Sequence, residues 1–528
     1  MIDAIRRPWW ECAALAMCAG LSLALSFPGA SLWPLAFVAP PLLVTALRGR
    51  GFGSAFVLSA IAGAAFYGPL VSWSSRFLGP IPWLALTAVM TLSFAVGGML
   101  LAAVMRGIQR RAPGERGMLI AEPLALALVW MLREFVANRF PYGGFAWGRI
   151  AQSQSNGPFL DVVAWLGIDG LGFLMVWMSL LGLAVLRHAI QTSSSAPKLR
   201  AMSRWRTFEL ASTVAAACAV LVLIPPCSLP SNGTVRVAAV QGNTPEAGYF
   251  TSGAPGQVLA SHIRVTEAHV PSTWQPELIL WPEGSADLGP QYHAAAEEAL
   301  NDLSARYGDA PILANTVTVT GRGKSEQYFN TQFEWSSASG WGAETSKKRP
   351  VPFGEYIPDR DFYYALAPDL IGMVGRGYSP GTDPATVSVA GHRAGVLICF
   401  DVIEDGVVRQ SVGEGAEFLL LPTNNADFDR TDEAAQQVSF ARIRAVETGR
   451  WTVQASTVGW SAAYDGAGRE VAALNWFDDG AMLLEVPAVQ GSTPAMVIGE
   501  GVSRALALGG LLMVITYWPR AGKRRATQ

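Results

Sequence analysis

Eight long apolar runs restrict the fold of this sequence more than any other feature. A stretch of about 20 apolar residues can cross a bilayer as a helix, because a helix satisfies its own backbone hydrogen bonds inside hydrocarbon. Seven such runs precede residue 229 and an eighth lies near the C-terminus, at residues 9–27, 31–48, 54–75, 82–106, 119–137, 160–187, 208–227 and 499–518. The sequence therefore predicts a polytopic α-helical membrane domain of about eight transmembrane helices.

The composition agrees with a membrane protein. The 528-residue chain is 51% hydrophobic and 15% charged, whereas soluble domains carry about 25% charged residues. Its net charge of −2 gives no indication of a nucleic-acid partner. The first apolar run has an alternative interpretation as a cleavable signal peptide, but it lacks a small-residue cleavage site and another run follows at once.

The positions of lysine and arginine predict the orientation of the helices. Basic residues gather on the cytoplasmic side of membrane proteins. If the eight spans alternate, one side collects the basic segments: Arg6 and Arg7, Arg48 and Arg50, residues 106–116, residues 187–206 and the tail 520–528. We therefore expect both termini to be cytoplasmic, and the long segment between spans seven and eight to be extracytoplasmic.

That long segment reads as a separate α/β domain. Proline- and glycine-containing linkers flank it, and β-rich runs alternate with helical patterns such as residues 294–307 and 432–450. The predicted strands are residues 235–240, 277–281, 311–320, 386–400, 417–422 and 451–457. We predict a membrane domain at 1–228, a catalytic α/β domain at 234–488, an eighth transmembrane helix at 498–519 and a basic tail at 520–528.

Cys399 is the one cysteine of the α/β domain, at the end of the apolar stretch Val396–Ile398. It has two interpretations, a small buried residue or a nucleophile. No spacing of Cys and His is typical of a metal site, and we expect neither a metal nor a cofactor. His392 precedes it, but the turn AGHRAG places this histidine at the opposite end of the strand.

Carboxylate and lysine side chains offer another way to activate a thiol. Glu283 follows the apolar run ELILW, and Lys347 lies in the segment SKKRPVPFGEYIP, which also contains Glu355. A carboxylate can act as a general base and an ammonium can stabilise an oxyanion. Each residue also has an ordinary explanation, since a Glu after a strand is often a loop residue and a KKR run is usually solvated.

Taken together, these stretches resemble a known family. Glu in ELILWPEGS, Lys in SKKRPVPFGEYIP and Cys in GVLICFDVIEDG have the order of the Glu–Lys–Cys triad of the nitrilase superfamily. With the eight apolar runs around them, they resemble the apolipoprotein N-acyltransferase family over essentially the whole chain. Further matching segments are VAAVQGNTP (237–245), VPFGE (351–355), ARIRAVETGR (441–450) and NRFPYGGFAWGRIAQSQ (138–154).

The resemblance implies roles for named residues. Glu283 corresponds to the general base, Lys347 to the oxyanion-stabilising lysine and Cys399 to the nucleophile, and Glu355 matches a further required glutamate. Lys348 is one position off when counted back from the VPFGE block. The implied fold of the domain is an α-β-β-α sandwich.

The resemblance also implies a reaction. The family transfers an acyl chain from a membrane phospholipid to the N-terminal amine of an S-diacylglyceryl-cysteine, through a thioester on the cysteine. The implied partners are a phospholipid donor, a diacylated lipoprotein acceptor and membrane lipids. The implied location is the bacterial cytoplasmic membrane.

The chain departs from the family pattern near the expected site. Phe400 and Asp401 stand where the family commonly has Tyr and Glu, and Phe250 is nearest to a position that is commonly Trp. TNNADFD (423–429) replaces SNDAWFG, and Arg349-Pro350 replaces His-Leu. These differences affect substrate positioning and the preferred acceptor rather than the triad.

Two alternative functions and two interpretations of one segment remain at this stage. The α/β domain could be a membrane-tethered carbon–nitrogen amidohydrolase that uses the same triad, or the protein could be a non-catalytic scaffold for envelope assembly. The aromatic segment FPYGGFAWG (140–148) could lie at the membrane interface as an arm, or it could be a loop that packs on the domain.

Overall fold

The computed structural model describes residues 7–111, 117–193, 197–244, 254–375 and 377–518. The chain divides into two units: the first comprises Met1–Ser72, Leu84–Pro225 and Ile498–Gln528, and the second comprises Trp73–Trp83 and Pro226–Val497. Phe250 and the basic tail 520–528 lie outside the described residues.

Helices occupy all eight predicted apolar runs, which confirms a helical membrane domain. In chain order the α-helices are α1 (Trp9–Ser26), α2 (Leu35–Leu47), α3 (Phe52–Leu70), α4 (Ser75–Leu78), α5 (Pro80–Arg110), α6 (Glu122–Ala137), α7 (Val163–Ser193), α8 (Pro197–Val222), α9 (Gln257–His269), α10 (Ala294–Arg306), α11 (Arg360–Leu366), α12 (Pro368–Met373), α13 (Asp405–Gly413), α14 (Asp432–Thr448) and α15 (Pro494–Tyr517).

Fewer than eight of these helices are clearly long enough to span a bilayer. Among the described residues, five segments qualify by length and composition: α1, α3, α5, Leu160–Gln191 and α15. Helix α2 has 13 residues and α6 has 16, below the roughly 20 that a straight crossing needs. The count of eight crossings therefore stays a prediction.

Small residues let the helices of the first unit approach closely. A Cβ added at Gly20 of α1 would lie 2.1 Å from the carbonyl oxygen of Ala62 in α3, and one at Gly510 of α15 would lie 2.3 Å from that of Leu128 in α6. Close backbone approach is a main source of association between membrane helices, because lipid provides no hydrophobic driving force for it.

Arg133 and Glu134 form a buried ion pair inside the helical unit. Glu134 Oε1 in α6 accepts hydrogen bonds from Arg133 at 2.9 Å, from the Trp130 indole at 2.9 Å and from the Ile150 N–H at 3.3 Å. Arg133 also donates to the Tyr67 hydroxyl in α3 at 3.1 Å. A buried charge is tolerated when its lone pairs and protons find partners, which explains how an otherwise apolar run accommodates an Arg-Glu pair.

Several basic helix ends meet at one end of the first unit. The Arg106 guanidinium near the end of α5 lies 3.9 Å from the ring centre of Phe52, the first residue of α3. Arg111 donates to the carbonyl of Thr516, near the end of α15, at 2.7 Å. The start of α3 and the ends of α5 and α15 therefore share one side, as the alternation of spans predicts.

The second unit is built on two six-stranded sheets. The strands are β1 (Ser231–Gln241), β2 (Leu278–Leu280), β3 (Ile312–Thr320), β4 (Gln327–Ser336), β5 (Gly340–Ser346), β6 (Thr386–Val389), β7 (His392–Val396), β8 (Phe418–Thr423), β9 (Thr452–Ser456), β10 (Ser461–Tyr464), β11 (Glu470–Leu474) and β12 (Gly480–Val489). Each strand that the sequence predicts is present, and the predicted run 386–400 is two strands, β6 and β7, followed by a turn.

The two sheets have matching topology. The first has the order β12-β1-β2-β3-β4-β5 and the second β11-β10-β9-β8-β7-β6. Three parallel strands form the centre of each, β1-β2-β3 and β7-β8-β9. The outer strands pair antiparallel. As a result, the carboxyl ends of β2 and β5 lie at one edge of the first sheet, and those of β7 and β8 at one edge of the second.

Side-chain alternation assigns each sheet an inner and an outer face. In β1, Val235, Val237 and Ala239 belong to a core shared with strands of both sheets, whereas Ala238 and Val240 pack with residues of α9 and α10. Successive strand residues point to opposite faces. Helix α14 contacts the outer face of the second sheet at β9 and β10. The layers confirm the α-β-β-α sandwich.

One short piece from between the apolar helices packs within the second unit. The Trp73 indole N–H donates to Gln436 Oε1 at 3.2 Å, and its ring meets that of Phe428 edge-on at 5.1 Å. Leu78 packs on an apolar cluster of Ile357, Ile371 and Val374. The place of Trp73–Trp83 in this unit was not predicted from the sequence.

We predict that Gly20→Ala destabilises the helical unit. The added methyl would collide with the α3 backbone, and such overpacking costs about 1–3 kcal/mol. The melting temperature of the purified protein in detergent should fall. Gly53→Ala is the matched control, since nothing lies within 4 Å of a Cβ there. Equal melting temperatures for the two variants would contradict this packing.

Candidate active site

Four strand ends of the second unit carry the polar side chains of the site. Glu283 lies three residues after β2 and Lys347 directly after β5, in the first sheet; Cys399 lies three residues after β7 and Asn424 directly after β8, in the second. The two sheets share one core. The sandwich therefore brings together residues that are far apart in sequence.

Lys347 occupies the centre of this cluster. Its side chain is only 2% exposed, and its Nζ donates to Glu283 Oε1 at 3.0 Å and to Glu355 Oε1 at 2.9 Å. Burial by itself lowers the pKa of the ammonium, but Glu283, Glu355 and Cys399 raise it well above its ordinary value. Lys347 therefore stays protonated at neutral pH.

Glu283 is held by three donors. Besides Lys347, the Asn330 side-chain amide donates to Oε1 at 2.6 Å, and the backbone N–H of Asn424 donates to Oε2 at 3.1 Å. The Thr457 hydroxyl donates to the Glu283 backbone carbonyl at 3.1 Å. Contacts from different strands orient both carboxylate oxygens, so the Glu283 side chain is held in one orientation.

Glu355 accepts from Lys347 and from the Val351 N–H, the latter at 2.7 Å. Burial raises the pKa of Glu355, and Lys347 opposes that rise. Asn330 also reaches it, at 3.4 Å. Glu355 therefore gives the Lys347 ammonium a second carboxylate partner besides Glu283.

Cys399 lies on a strained turn rather than at a strand end. Strand β7 ends at Val396, and Cys399 begins a short 3-10 helix that runs to Ile403, with a φ of +51°. Positive φ in a residue with a Cβ costs on the order of 1–3 kcal/mol and occurs at sites where surrounding structure enforces it. The turn leaves the thiol partly buried.

The thiol is neutral in the resting site. Burial raises the pKa of Cys399 well above its ordinary value, the Glu283 carboxylate raises it further, and Lys347 lowers it. A nearby base must therefore take the proton as the sulfur attacks, and the charge of the Glu283 carboxylate acts on the thiol more strongly than that of any other charged group around it.

Asp401 joins the cysteine turn to the lysine segment. Its carboxylate accepts the N–H groups of Ile398 at 3.3 Å, Lys348 at 3.1 Å and Arg349 at 2.8 Å. It is 1% exposed. Burial raises the pKa of Asp401 to about 6, while Lys347 and the backbone N–H groups oppose the rise. Asp401 thus fixes the residue before Cys399 relative to the two residues after Lys347.

The other residues that the sequence singled out have different positions and contacts. The Lys348 ammonium is directed away from the glutamates, to Asp383 and to the Thr345 hydroxyl. Phe400 is buried beside the cysteine turn, and Phe250 lies outside the described residues. His392, at the start of β7, contacts Glu417 with its Nδ1 at 2.7 Å.

Several polar residues that complete the site were not predicted from the sequence. Asn330 on β4 contacts both glutamates, and Asn315 on β3 donates to Asn330 Oδ1 at 2.8 Å. Glu433 on α14 is 2% exposed and accepts from the Asn425 amide at 2.7 Å. Burial raises the pKa of Glu433 to about 8. Its position seven residues before the buried Phe440 was the available signal, since both lie on one helix face.

Asp427 is a second acid that the sequence analysis passed over. It lies in the turn Ala426–Phe428, and burial followed by the Glu283 charge raises its pKa to about 7. Among the described residues, no group of three or more His, Cys, Asp or Glu has the arrangement of a metal site. The site thus offers a thiol, a buried ammonium and several carboxyls, which suits acyl transfer through a covalent intermediate.

Known families match both halves of the chain. The model described as Apolipoprotein N-acyltransferase N-terminal domain matches residues 19–181, and Carbon-nitrogen hydrolase matches residues 236–493. An apolipoprotein N-acyltransferase of Mycolicibacterium smegmatis is 31% identical over 98% of this chain and 88% of its own length. One from Pseudomonas aeruginosa is 27% identical over 99% of this chain and 98% of its own length.

A solved structure also matches. An amidase from a Nesterenkonia species covers 49% of this chain and 93% of its own, with 19% identity and a TM-score of 0.36.

We predict that Asp401→Asn slows acyl transfer by about tenfold to a hundredfold, since hydrogen bonds to a charged group contribute about 1.5–3 kcal/mol each. With a pKa of about 6, Asp401 is ionised above that pH and accepts all three N–H groups; below it the carboxyl protonates and loses acceptor capacity. Wild-type activity should fall as the pH drops below 6.

The measurement is a pH–rate profile of phospholipid-dependent acyl transfer. The exposed Asp302→Asn on α10 serves as the matched control and should keep the wild-type profile. An Asp401→Asn variant with the wild-type rate at pH 7 would contradict the positioning role.

Proposed function

This chain belongs to the apolipoprotein N-acyltransferase family, and we propose that Glu283, Lys347 and Cys399 carry out its reaction as general base, oxyanion stabiliser and nucleophile. The family moves an acyl chain from a phospholipid to the N-terminal amine of a diacylated lipoprotein. The observation that carries the assignment is the Lys347 ammonium, bonded to Glu283 and Glu355 and electrostatically coupled to Cys399.

The first half-reaction forms a thioester. Glu283 takes the thiol proton while the Cys399 sulfur attacks the sn-1 ester carbonyl carbon of the phospholipid. Lys347 and backbone N–H groups of the cysteine turn stabilise the negative charge that develops on the carbonyl oxygen. The bond to the glycerol oxygen then breaks, that oxygen receives the proton from Glu283, and a lysophospholipid leaves.

The second half-reaction forms an amide. The α-amine of the S-diacylglyceryl-cysteine attacks the thioester carbonyl, and Glu283 accepts a proton from the amine. The carbon–sulfur bond breaks and the proton returns to the Cys399 sulfur. The products are a triacylated lipoprotein and the resting enzyme, and the two substrates use the same base in turn.

The membrane helices suit these substrates. Moving an acyl chain from lipid into water costs about 0.8 kcal/mol per CH₂ group, so neither substrate leaves the bilayer at a useful rate. In the second unit, α11 and α12 expose apolar side chains just after the Glu355 segment: Phe362 is 61% exposed, Leu366 68% and Met373 54%. These side chains fit a surface that receives substrates directly from the bilayer.

The protein is a bacterial inner-membrane protein, as its relatives and apolar helices indicate. We place the catalytic domain on the extracytoplasmic face and both termini in the cytoplasm, because the positive-inside rule puts basic helix ends at the cytoplasmic side. The shared position of Arg106 and Arg111 at one end of the helical unit supports this orientation.

A transfer assay tests the function. Purified protein is incubated with phospholipid and a synthetic S-diacylglyceryl-cysteine peptide, and the products are separated by mass. We expect N-acyl peptide and lysophospholipid in equal amounts. Free fatty acid without N-acyl peptide would support the tethered amidohydrolase instead, and the absence of both would support the scaffold.

Two adjacent lysines provide a test variant and a matched control for the proposed mechanism. Lys347→Met removes the ammonium between the glutamates and should lower kcat by about 10²–10³, the usual effect of losing an oxyanion donor. Lys348→Met removes a charge directed at Asp383 and should keep most activity. Melting temperatures of both variants control for folding, and equal losses of activity would contradict the assignment.

A further inference from the structure

The second half-reaction leaves one proton of the acceptor without a destination. An α-amine has an ordinary pKa of about 7.7–8.0, so at pH 7 most of the acceptor arrives as an ammonium. Its nitrogen must lose two protons to become the amide nitrogen of the product. Glu283 carries one of them to the Cys399 sulfur. The other proton needs a different acceptor, because one carboxylate cannot hold both.

Asp427 lies at the same end of the catalytic domain as Glu283. It belongs to the turn Ala426–Phe428, which follows β8, and the backbone N–H of Asn424 at the start of this loop donates to Glu283 Oε2 at 3.1 Å. Besides burial, the charge of Glu283 raises the pKa of Asp427. The two carboxyl groups are therefore close enough for their charges to interact.

The Asp427 carboxyl is available to a ligand. Its side chain is half-buried, and no hydrogen bond from the described residues acts on its carboxyl oxygens. Glu283, by contrast, is bonded to Lys347 and Asn330, and Glu355 is bonded to Lys347. A carboxylate that is not engaged, beside a reaction whose second substrate is a cation, can pair with that cation.

The turn holds this carboxyl in a defined place. The Ala426 N–H donates to Asn424 Oδ1 at 3.0 Å, and the Asn425 side-chain amide donates to Glu433 Oε2 on α14 at 2.7 Å. Contacts on the residues before Asp427 thus join the turn to its own loop and to the helix that follows it. A substrate group that meets Asp427 is therefore positioned by the same framework that holds Glu283.

The surroundings of Asp427 match its affinity for a proton to that of an amine. Burial and Glu283 raise the pKa of Asp427 to about 7. Proton transfer between groups of similar pKa is not strongly uphill, and an approaching ammonium favours the ionised carboxylate. The other titratable groups of its loop and of the helices packed on it are Asp429 and Arg430, Asp432 and Glu433 on α14, and Arg76 on α4.

We propose that Asp427 binds the α-ammonium of the lipoprotein acceptor and takes its first proton. The step belongs to the second half-reaction and therefore rests on the proposed function. The nitrogen, now neutral, attacks the carbonyl carbon of the Cys399 thioester and gives its second proton to Glu283. The carbon–sulfur bond breaks, the sulfur receives that proton from Glu283, and Asp427 releases its own proton to water.

Single-turnover transfer from the acylated enzyme tests this role. Purified full-length protein in detergent is first given phospholipid alone, and S-diacylglyceryl-cysteine peptide is then added between pH 6 and pH 9. At pH 7, Asp427→Asn should transfer about five- to tenfold more slowly than the wild type, because only the neutral fraction of an amine with a pKa of about 7.7–8.0 can react. At pH 9 the two rates should be equal, and thioester formation should be unchanged at both pH values.

Two further variants separate proton transfer from structure. Asp427→Glu keeps a carboxylate and should restore most of the rate at pH 7. Asp429→Asn removes a carboxylate that pairs with Arg76 in the same loop and should keep the wild-type profile. A wild-type rate for Asp427→Asn at pH 7 would overturn the proposal. A loss that persists at pH 9, or that also slows thioester formation, would overturn it as well, because a structural defect would then explain the result.

The wild-type profile covers the case in which Asp427→Asn does not fold. With Asp427 as the first acceptor, the apparent pKa of the transfer step should lie near the value of about 7 for this carboxyl, below that of the peptide α-amine measured by NMR in the same micelles. An apparent pKa equal to that of the amine would overturn the proposal. A wild-type protein that forms no thioester would contradict the proposed function itself.

Discussion

A buried ammonium between two carboxylates fixes the geometry of the candidate active site. Removing one partner of a buried ion pair typically costs about 3–5 kcal/mol, because the other charge stays uncompensated. Glu283 follows β2, Lys347 and Glu355 lie in the one segment that follows β5 of the same sheet, and the Asn424 N–H from the second sheet completes the group. The same contacts that compensate these charges fix the directions of the base and the oxyanion donor.

The same arrangement also explains why the Cys399 thiol stays protonated beside several carboxyl groups. Burial and Glu283 raise the pKa of the Cys399 thiol, so the sulfur stays protonated until a substrate carbonyl can accept electron density. Burial raises the pKa of Glu433 to about 8 and that of Asp427 to about 7, so at neutral pH Glu433 is mostly protonated and Asp427 is about half protonated, which limits the negative charge around the thiol. Attack by the sulfur and transfer of its proton to Glu283 then occur in one step. Without a substrate carbonyl, the thiol stays neutral and unreactive.

The sequence predicted the helical membrane region, the strands that bear Glu283 and Cys399 and the α-β-β-α layers, because hydrophobic runs and alternation report burial directly. It did not predict β4, β5 and β10–β12; β4 and β5 are rich in polar residues and lack a simple alternation of buried and exposed positions. Asn330 was missed for that reason, since its importance depends on the register of β4 against β3. The turn at Cys399 was read as a strand end, because Leu397 and Ile398 are apolar and buried although they lie beyond β7. The packing of Trp73–Trp83 in the second unit was also not predicted, because contacts between residues distant in sequence leave no local pattern in the sequence.

The proposed mechanism requires a covalent acyl group on the Cys399 sulfur, and intact-mass analysis measures that group directly. Wild-type protein given phospholipid alone, without a peptide acceptor, should gain the mass of one acyl chain, and hydroxylamine should remove it as expected for a thioester. Cys399→Ala and Glu283→Gln proteins, shown to be folded by their melting temperatures, should gain none. An acyl adduct of equal amount on Cys399→Ala would contradict the account.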